Sequence, residues 1–248
     1  MKNWINCLLN NAIFNKNIDK QLIDLESLSK DNPFVYFIEI ELIKNSKFDV
    51  SAGYINNSIK NSVIYKEKDS SNIQSRDFIF YSLIDNHIDE NILRNILINE
   101  RYNKSNSFIK KIKNKYNFDI ETIGFAKGLI RLTLINGRIK DFINEKVNSN
   151  IFSKLLNIKD ISIMLDIDIV NNTIGNIYGI EVLPGKSHIF SKYQLYDIYS
   201  IISKYNITDI ELRDIININL NDISHFKVKI DSNNNLFPAK IYLKKEIK

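Results

Sequence analysis

Apolar positions along the chain change period several times, and those changes mark out the elements. Trp4, Ile5, Leu8, Leu9, Ile13 and Phe14 recur at helical spacing and predict an amphipathic first helix within an N-terminal helical segment, residues 1–30. Residues 34–43 and 48–55 are rich in aromatic and β-branched side chains and predict two strands joined through Lys44-Asn45-Ser46-Lys47. The Asn- and Ser-rich stretch 56–71 reads as a polar loop. Helical spacing resumes at Phe78, Ile79 and Leu83 and continues through Ile92, Leu93, Ile96 and Leu97, with Asp89 as an N-cap, and a basic helix follows over 108–116.

The second half is more regular. Residues 119–135, divided by Lys127-Gly128, predict a hairpin with a tight turn. Helical spacing occupies 139–156. Residues 161–169 alternate with period two, turn at Asn171-Asn172-Thr173 and return over 174–183. Two helices, 193–204 and 209–219 with Thr208 as N-cap, precede a last strand pair over 223–230 and 239–243. The expectation is one α+β domain, residues 1–248, of antiparallel β-hairpins alternating with helices. About eight strands in four hairpins must hide one face under the helices. Such a sheet either stays open as a two-layer sandwich or curls into a partly closed barrel with the helices outside.

Alternation also sorts the side chains. Phe226, Val228 and Ile230 fall on one face of their strand, as do Ala239, Ile241 and Leu243, while His225, Lys227, Lys229, Lys240, Tyr242 and Lys244 fall on the other. Ile163, Leu165, Ile167 and Ile169 oppose Ser162, Asp166 and Asp168. Ile38, Ile40 and Leu42 oppose Glu39 and Glu41; Ile180 and Val182 flank Glu181; Leu132 and Leu134 oppose Arg131 and Thr133. In a sandwich this polar face meets solvent. In a barrel it becomes a lumen where confined charges interact far more strongly than in water.

Composition narrows the function. A chain of 248 residues buries a core without disulfides. The net charge of +5 suggests an anionic partner, but the only dense basic run, Lys110, Lys111, Lys113 and Lys115, reads as the solvated face of one helix, so nucleic acid is not expected. The single cysteine, Cys7, excludes an internal disulfide and reads as a small buried hydrophobe more readily than as a nucleophile. No apolar run approaches the roughly 20 residues that cross a bilayer, and the opening segment is too broken by Asn for a signal peptide. A cytoplasmic protein with no membrane partner is expected.

Alternating hairpins and helices with polar strand faces turned inward, together with Lys240-Ile241-Tyr242, resemble the αββα barrel of aromatic prenyltransferases, a family with members acting on ribosomally made peptides. Its strands use Lys-x-Tyr pairs to hold and shield an allylic diphosphate, and a carboxylate assists the nucleophile. The family usually has five strand pairs; four are read here, with one Lys-x-Tyr. From Gly124 onward the chain also resembles bacterial proteins associated with ribosomal-peptide (RiPP) modification clusters, through Arg131-Leu132, Leu165 to Asp168, Gly179-Ile180-Glu181, Ser224-His225-x-Lys227 and Ala239-Lys240-x-Tyr242-Leu243.

The resemblance implies isoprenoid transfer from an allylic diphosphate to a precursor peptide. Its alternative is a non-catalytic peptide-binding module, with a homodimer as one form. Arg131, Lys227, Lys229, Lys240 and Tyr242 would bind the diphosphate, or else be surface residues of an exposed sheet. Glu39, Glu41 and Glu181 are candidate bases that can equally pair with neighbouring lysines, and His225 is a candidate acid or base. No resident cofactor is required. Asp166 and Asp168, on one strand face roughly 7 Å apart, can take Mg²⁺ if a phosphate adds oxygens.

Overall fold

The computed structural model describes residues 34–43, 48–56, 62–69, 76–83, 87–147, 149–216 and 223–245. The expected first helix, the rest of segment 1–30 and Cys7 lie outside them.

Ten strands are present among the described residues: β1 (Phe34–Glu41), β2 (Phe48–Asn56), β3 (Ser62–Asp69), β4 (Arg76–Leu83), β5 (Asp119–Ala126), β6 (Leu129–Ile135), β7 (Ile161–Val170), β8 (Thr173–Pro184), β9 (Ile223–Asp231) and β10 (Lys240–Lys245). All neighbours pair antiparallel, and the order β1-β10-β9-β8-β7-β6-β5-β4-β3-β2 returns to its start through β1–β2 pairing, closing a barrel. Six α-helices are described: α1 (Glu90–Asn99), α2 (Asn106–Tyr116), α3 (Ile139–Lys146), α4 (Asn150–Leu155), α5 (Lys192–Lys204) and α6 (Leu212–Ile216).

Local chemistry sets most boundaries. The Asp89 carboxylate accepts from the backbone N–H groups of Asn91 and Ile92, starting α1 as expected. Ser191 and Gln194 form a reciprocal capping box on α5. Asn171 and Asn172, both with positive φ, make the two-residue turn of the β7–β8 hairpin. Gly137 follows β6 with φ +62°, and a Cβ there would lie 2.3 Å from the Asn117 carbonyl oxygen, so this site requires glycine.

Three expectations change. Ser62–Asp69, inside the expected polar loop, is β3, because Val63, Ile64 and Tyr65 supply a strand-forming run that the surrounding Asn, Ser and Lys obscure. Phe78, Ile79 and Leu83 belong to β4 instead of a helix. Phe78 and Phe80 pack in one small apolar cluster while Tyr81 and Leu83 join the main core. A strand apolar on both faces carries no polar alternation, so its spacing imitates a helix. The count is therefore ten strands, not about eight. The helical stretch 139–156 is also two short helices, and among described residues the helix expected from 209 begins at Leu212.

The main core lies between barrel and helices. Leu132, Leu134, Leu165, Ile167, Ile180, Val182, Phe226 and Val228 on the strands meet Leu93, Ile96, Ile109, Phe142, Phe152, Leu195 and Ile198 on the helices in one buried cluster. At roughly 25 cal/mol per Å² of apolar area removed from water, this layer is the main favourable contribution to folding. Among the described residues, no helix is long and apolar enough to cross a membrane.

Candidate functional site

On β1, β6, β7, β8, β9 and β10 the opposite strand faces carry described side chains that are also buried, and these are polar. Glu39, Arg131, Thr133, Asp166, Asp168, Glu181, His225, Lys227, Lys229, Lys240 and Tyr242 are all buried, with Lys240 only 1% exposed. Charges at that depth persist only when paired and hydrogen-bonded. Strand register brings them together.

On β6 and β7, Arg131 is the register partner of Asp168, and Thr133 of Asp166. Arg131 donates from Nε and Nη2 to the two Asp168 oxygens, at 2.7 and 3.1 Å, while its guanidinium lies 4.4 Å from the Phe78 ring centre. Thr133 Oγ1 donates to Asp166 Oδ1 at 2.7 Å.

Lys227 occupies the middle. Its register partners are Glu181 on β8 and Lys240 on β10, yet its ammonium reaches past β8 to Asp166 on β7. It contacts Glu181 Oε1 at 2.8 Å on the way. Gly179 makes the passage: a Cβ there would stand 3.1 Å from Asp166 Cβ and 3.4 Å from Lys227 Cε.

On the β10–β1 side, Lys240 pairs with Glu39 and lies 3.8 Å from Glu41, and Tyr242 Oη donates to the other Glu39 oxygen at 2.5 Å. The Tyr242 ring stacks on His225, 4.0 Å between centres. A bulge helps to place that pair. Tyr242 faces His225 but Leu243 faces Ile223, so Ser224 is the extra residue on β9. Ser224 Oγ lies 3.0 Å from His225 Nδ1.

Some of these groups border a cavity of about 200 Å³, whose wall includes Phe80, Thr133, Glu181, His225, Lys227 and Tyr242. Arg131, Lys240, Glu39 and Asp168 do not line it; they stand behind its wall in ion pairs. Lys229 is buried, with Gly179 as its register partner. A larger cleft of about 560 Å³ runs along α5 outside the barrel and holds none of these charges.

The protonation states follow from burial and neighbours. Burial would raise the Asp166 carboxyl, but the charges of Lys227 and Arg131, with hydrogen bonds from Lys227 and Thr133, hold it below its ordinary value. Glu181 is pushed up to about 7 by burial and then by the Asp166 charge, which Lys227 only partly offsets. His225 is pushed down to about 3 by burial and the Lys227 charge. His225 is therefore neutral at physiological pH, and Glu181 is the cavity group that changes charge there.

Asp166 and Asp168 each engage a cation from another strand. Among the described residues, no group of three or more His, Cys, Asp or Glu is placed to hold a metal ion. Sequence reading missed Phe78 and Phe80, through the helix assignment, and gave Ser224 no role, because a bulge leaves no mark in alternation. No known family model matches the chain, and no curated protein is detectably similar to it.

Proposed function

We propose that the chain is a peptide-modifying enzyme of the αββα-barrel type that transfers an isoprenoid from an allylic diphosphate to a side chain of a ribosomally made peptide. One observation carries this reading: a buried cation, two stacked aromatic rings and a carboxyl poised near neutrality border a single cavity, as Lys227, Tyr242 with His225, and Glu181. Taken two by two in chain order, the ten strands make five antiparallel hairpin pairs, the number usual in the family that Lys240-Ile241-Tyr242 resembles, which supports it further.

The roles follow from position. The allylic C–O bond breaks and its electron pair leaves with the diphosphate, whose charge Lys227 offsets. The ring faces of Tyr242 and Phe80 stabilise the allylic cation. A peptide nucleophile forms the new bond to that carbon and passes its proton to the departing diphosphate. Arg131 and Lys240 keep the wall in place by holding Asp168 and Glu39. No resident metal is required in this reading. The cavity, about 200 Å³, is below the roughly 300–1,000 Å³ of ordinary ligand pockets, which favours a short donor chain.

The ion pairing of Arg131 and Lys240 favours a second reading, in which buried charges plug the barrel and the protein binds a peptide, or its own second copy, without chemistry. Calorimetry with dimethylallyl thiodiphosphate separates the two. The enzyme reading expects binding that Lys227→Met abolishes, and a prenylated product when the oxygen donor and a Tyr-containing peptide are supplied. Peptide binding with no uptake of the thiodiphosphate selects the module.

A further inference from the structure

Lys227 is buried and shared by two carboxylates that are not equivalent. Asp166 has a second donor, the Thr133 hydroxyl at 2.7 Å. Glu181 receives Lys227 at 2.8 Å and faces neutral His225, whose Nε2 is 3.7 Å away. Glu181 also lines the cavity, whereas Asp166 does not. An anion entering the cavity thus meets a cation whose weaker partner lies beside it. A buried carboxylate that loses its counter-charge next to an arriving anion is left with protonation as its remaining relief.

We propose that a phosphate-bearing ligand takes Lys227 from Glu181 by exchange, and that Glu181 binds a proton as it releases the ammonium. Anion binding in this barrel is then coupled to uptake of one proton. The inference rests on the diphosphate-using reading above and deepens it. It assigns the ligand's charged end to the Lys227 position and makes one carboxyl the gate for that end.

The groups facing Glu181 agree with this assignment. Lys227 and His225 come from β9, Asp166 from β7 and Tyr242 from β10, with Glu39 of β1 hydrogen-bonded behind Tyr242 and Glu121 of β5 at the cavity margin. His225 stays neutral throughout the relevant range, and Asp166 is held ionised, so neither supplies nor absorbs the proton. With Glu181 pushed up to about 7, uptake is small below neutrality, where the proton is already present, and approaches one proton above it.

Inorganic pyrophosphate titrated into the full chain, in two buffers of different ionisation enthalpy, reads this directly. Above pH 7 the wild-type protein takes up close to one proton more than Glu181→Gln; the ligand's own protonation is common to both and cancels. Wild-type affinity falls about tenfold per pH unit above neutrality, the slope for one linked proton, and the Glu181→Gln profile lacks that component. Lys227→Met loses binding in both backgrounds. If Glu181→Gln does not fold, the wild-type slope and buffer dependence decide alone, referenced to the free ligand's titration. Equal proton uptake in wild type and Glu181→Gln, a wild-type profile that follows only the ligand's titration, or no pyrophosphate binding overturns the proposal. Proton-coupled binding without any isoprenoid transfer would sink the enzyme reading alone; transfer with uncoupled binding would sink this inference alone.

Discussion

Arg131 on β6 and Asp168 on β7 are register partners, and they meet inside the barrel in a two-point salt bridge laid across the face of Phe78. Both are buried, so each charge depends on the other for the solvation that water would have supplied. Arg131→Ala should destabilise the fold by about 3–5 kcal/mol, because Asp168 is left charged and alone. Arg131→Met combined with Asp168→Leu should recover most of that loss. Urea unfolding of the two single variants and the double variant measures the coupling.

Stability should depend on pH through two opposed groups. The folded protein holds a proton on Glu181 up to about 7 where an ordinary Glu releases it near 4.5, so this group's contribution falls as pH rises through that window. His225, held down to about 3 from an ordinary 6.5, works the other way, and stability rises with pH across its window. The slopes oppose between about 4.5 and 6.5. Glu181→Gln should remove the falling limb and gain on the order of 3 kcal/mol over wild type between its value near pH 4.5 and that above neutrality. Denaturant midpoints across that range check it; parallel curves for the two proteins would contradict it.

Gly124 lies directly opposite Phe80 in register, and a Cβ on it would stand 2.4 Å from the ring. Gly124→Ala should force the ring off its seat at a cost of about 1–3 kcal/mol, as overpacking does. Phe80→Leu in the same chain should relieve much of that cost. Thermal unfolding of both variants reports the rescue.

Lys227 and Lys240 are register partners with different positions, one on the cavity wall and one behind it. Lys227→Met should abolish binding of dimethylallyl thiodiphosphate. Lys240→Met should weaken binding less and destabilise the fold by about 3–5 kcal/mol, since it strands the Glu39 carboxylate. Affinity and unfolding midpoint, measured together, separate the roles. Equal affinity losses would reject the distinction.

The second half of the chain was legible from its pattern. The β5–β6, β7–β8 and β9–β10 hairpins fall where alternation and turn residues place them, because one apolar face under helices makes period two visible. Asp89 and Asn171-Asn172 act through local backbone chemistry and read equally well. β3 and β4 did not, since a strand apolar on both faces, or embedded in Asn and Lys, carries no such signal. The polar faces could be sorted in advance, yet their pairings could not: Lys227 reaches Asp166 across β8 only because Gly179 leaves room, and Ser224 joins the cavity only because a bulge inserts it.

Sequence alone therefore determined which side chains are polar, which strands alternate and where most turns fall, since these depend on neighbours within a few residues. Tertiary structure decided that the polar faces share an interior, that Arg131 and Lys240 are committed to Asp168 and Glu39, and that Glu181 titrates near neutrality. Those outcomes depend on desolvation and on charges that strand closure brings within a few ångströms, and neither quantity exists until the strands have paired.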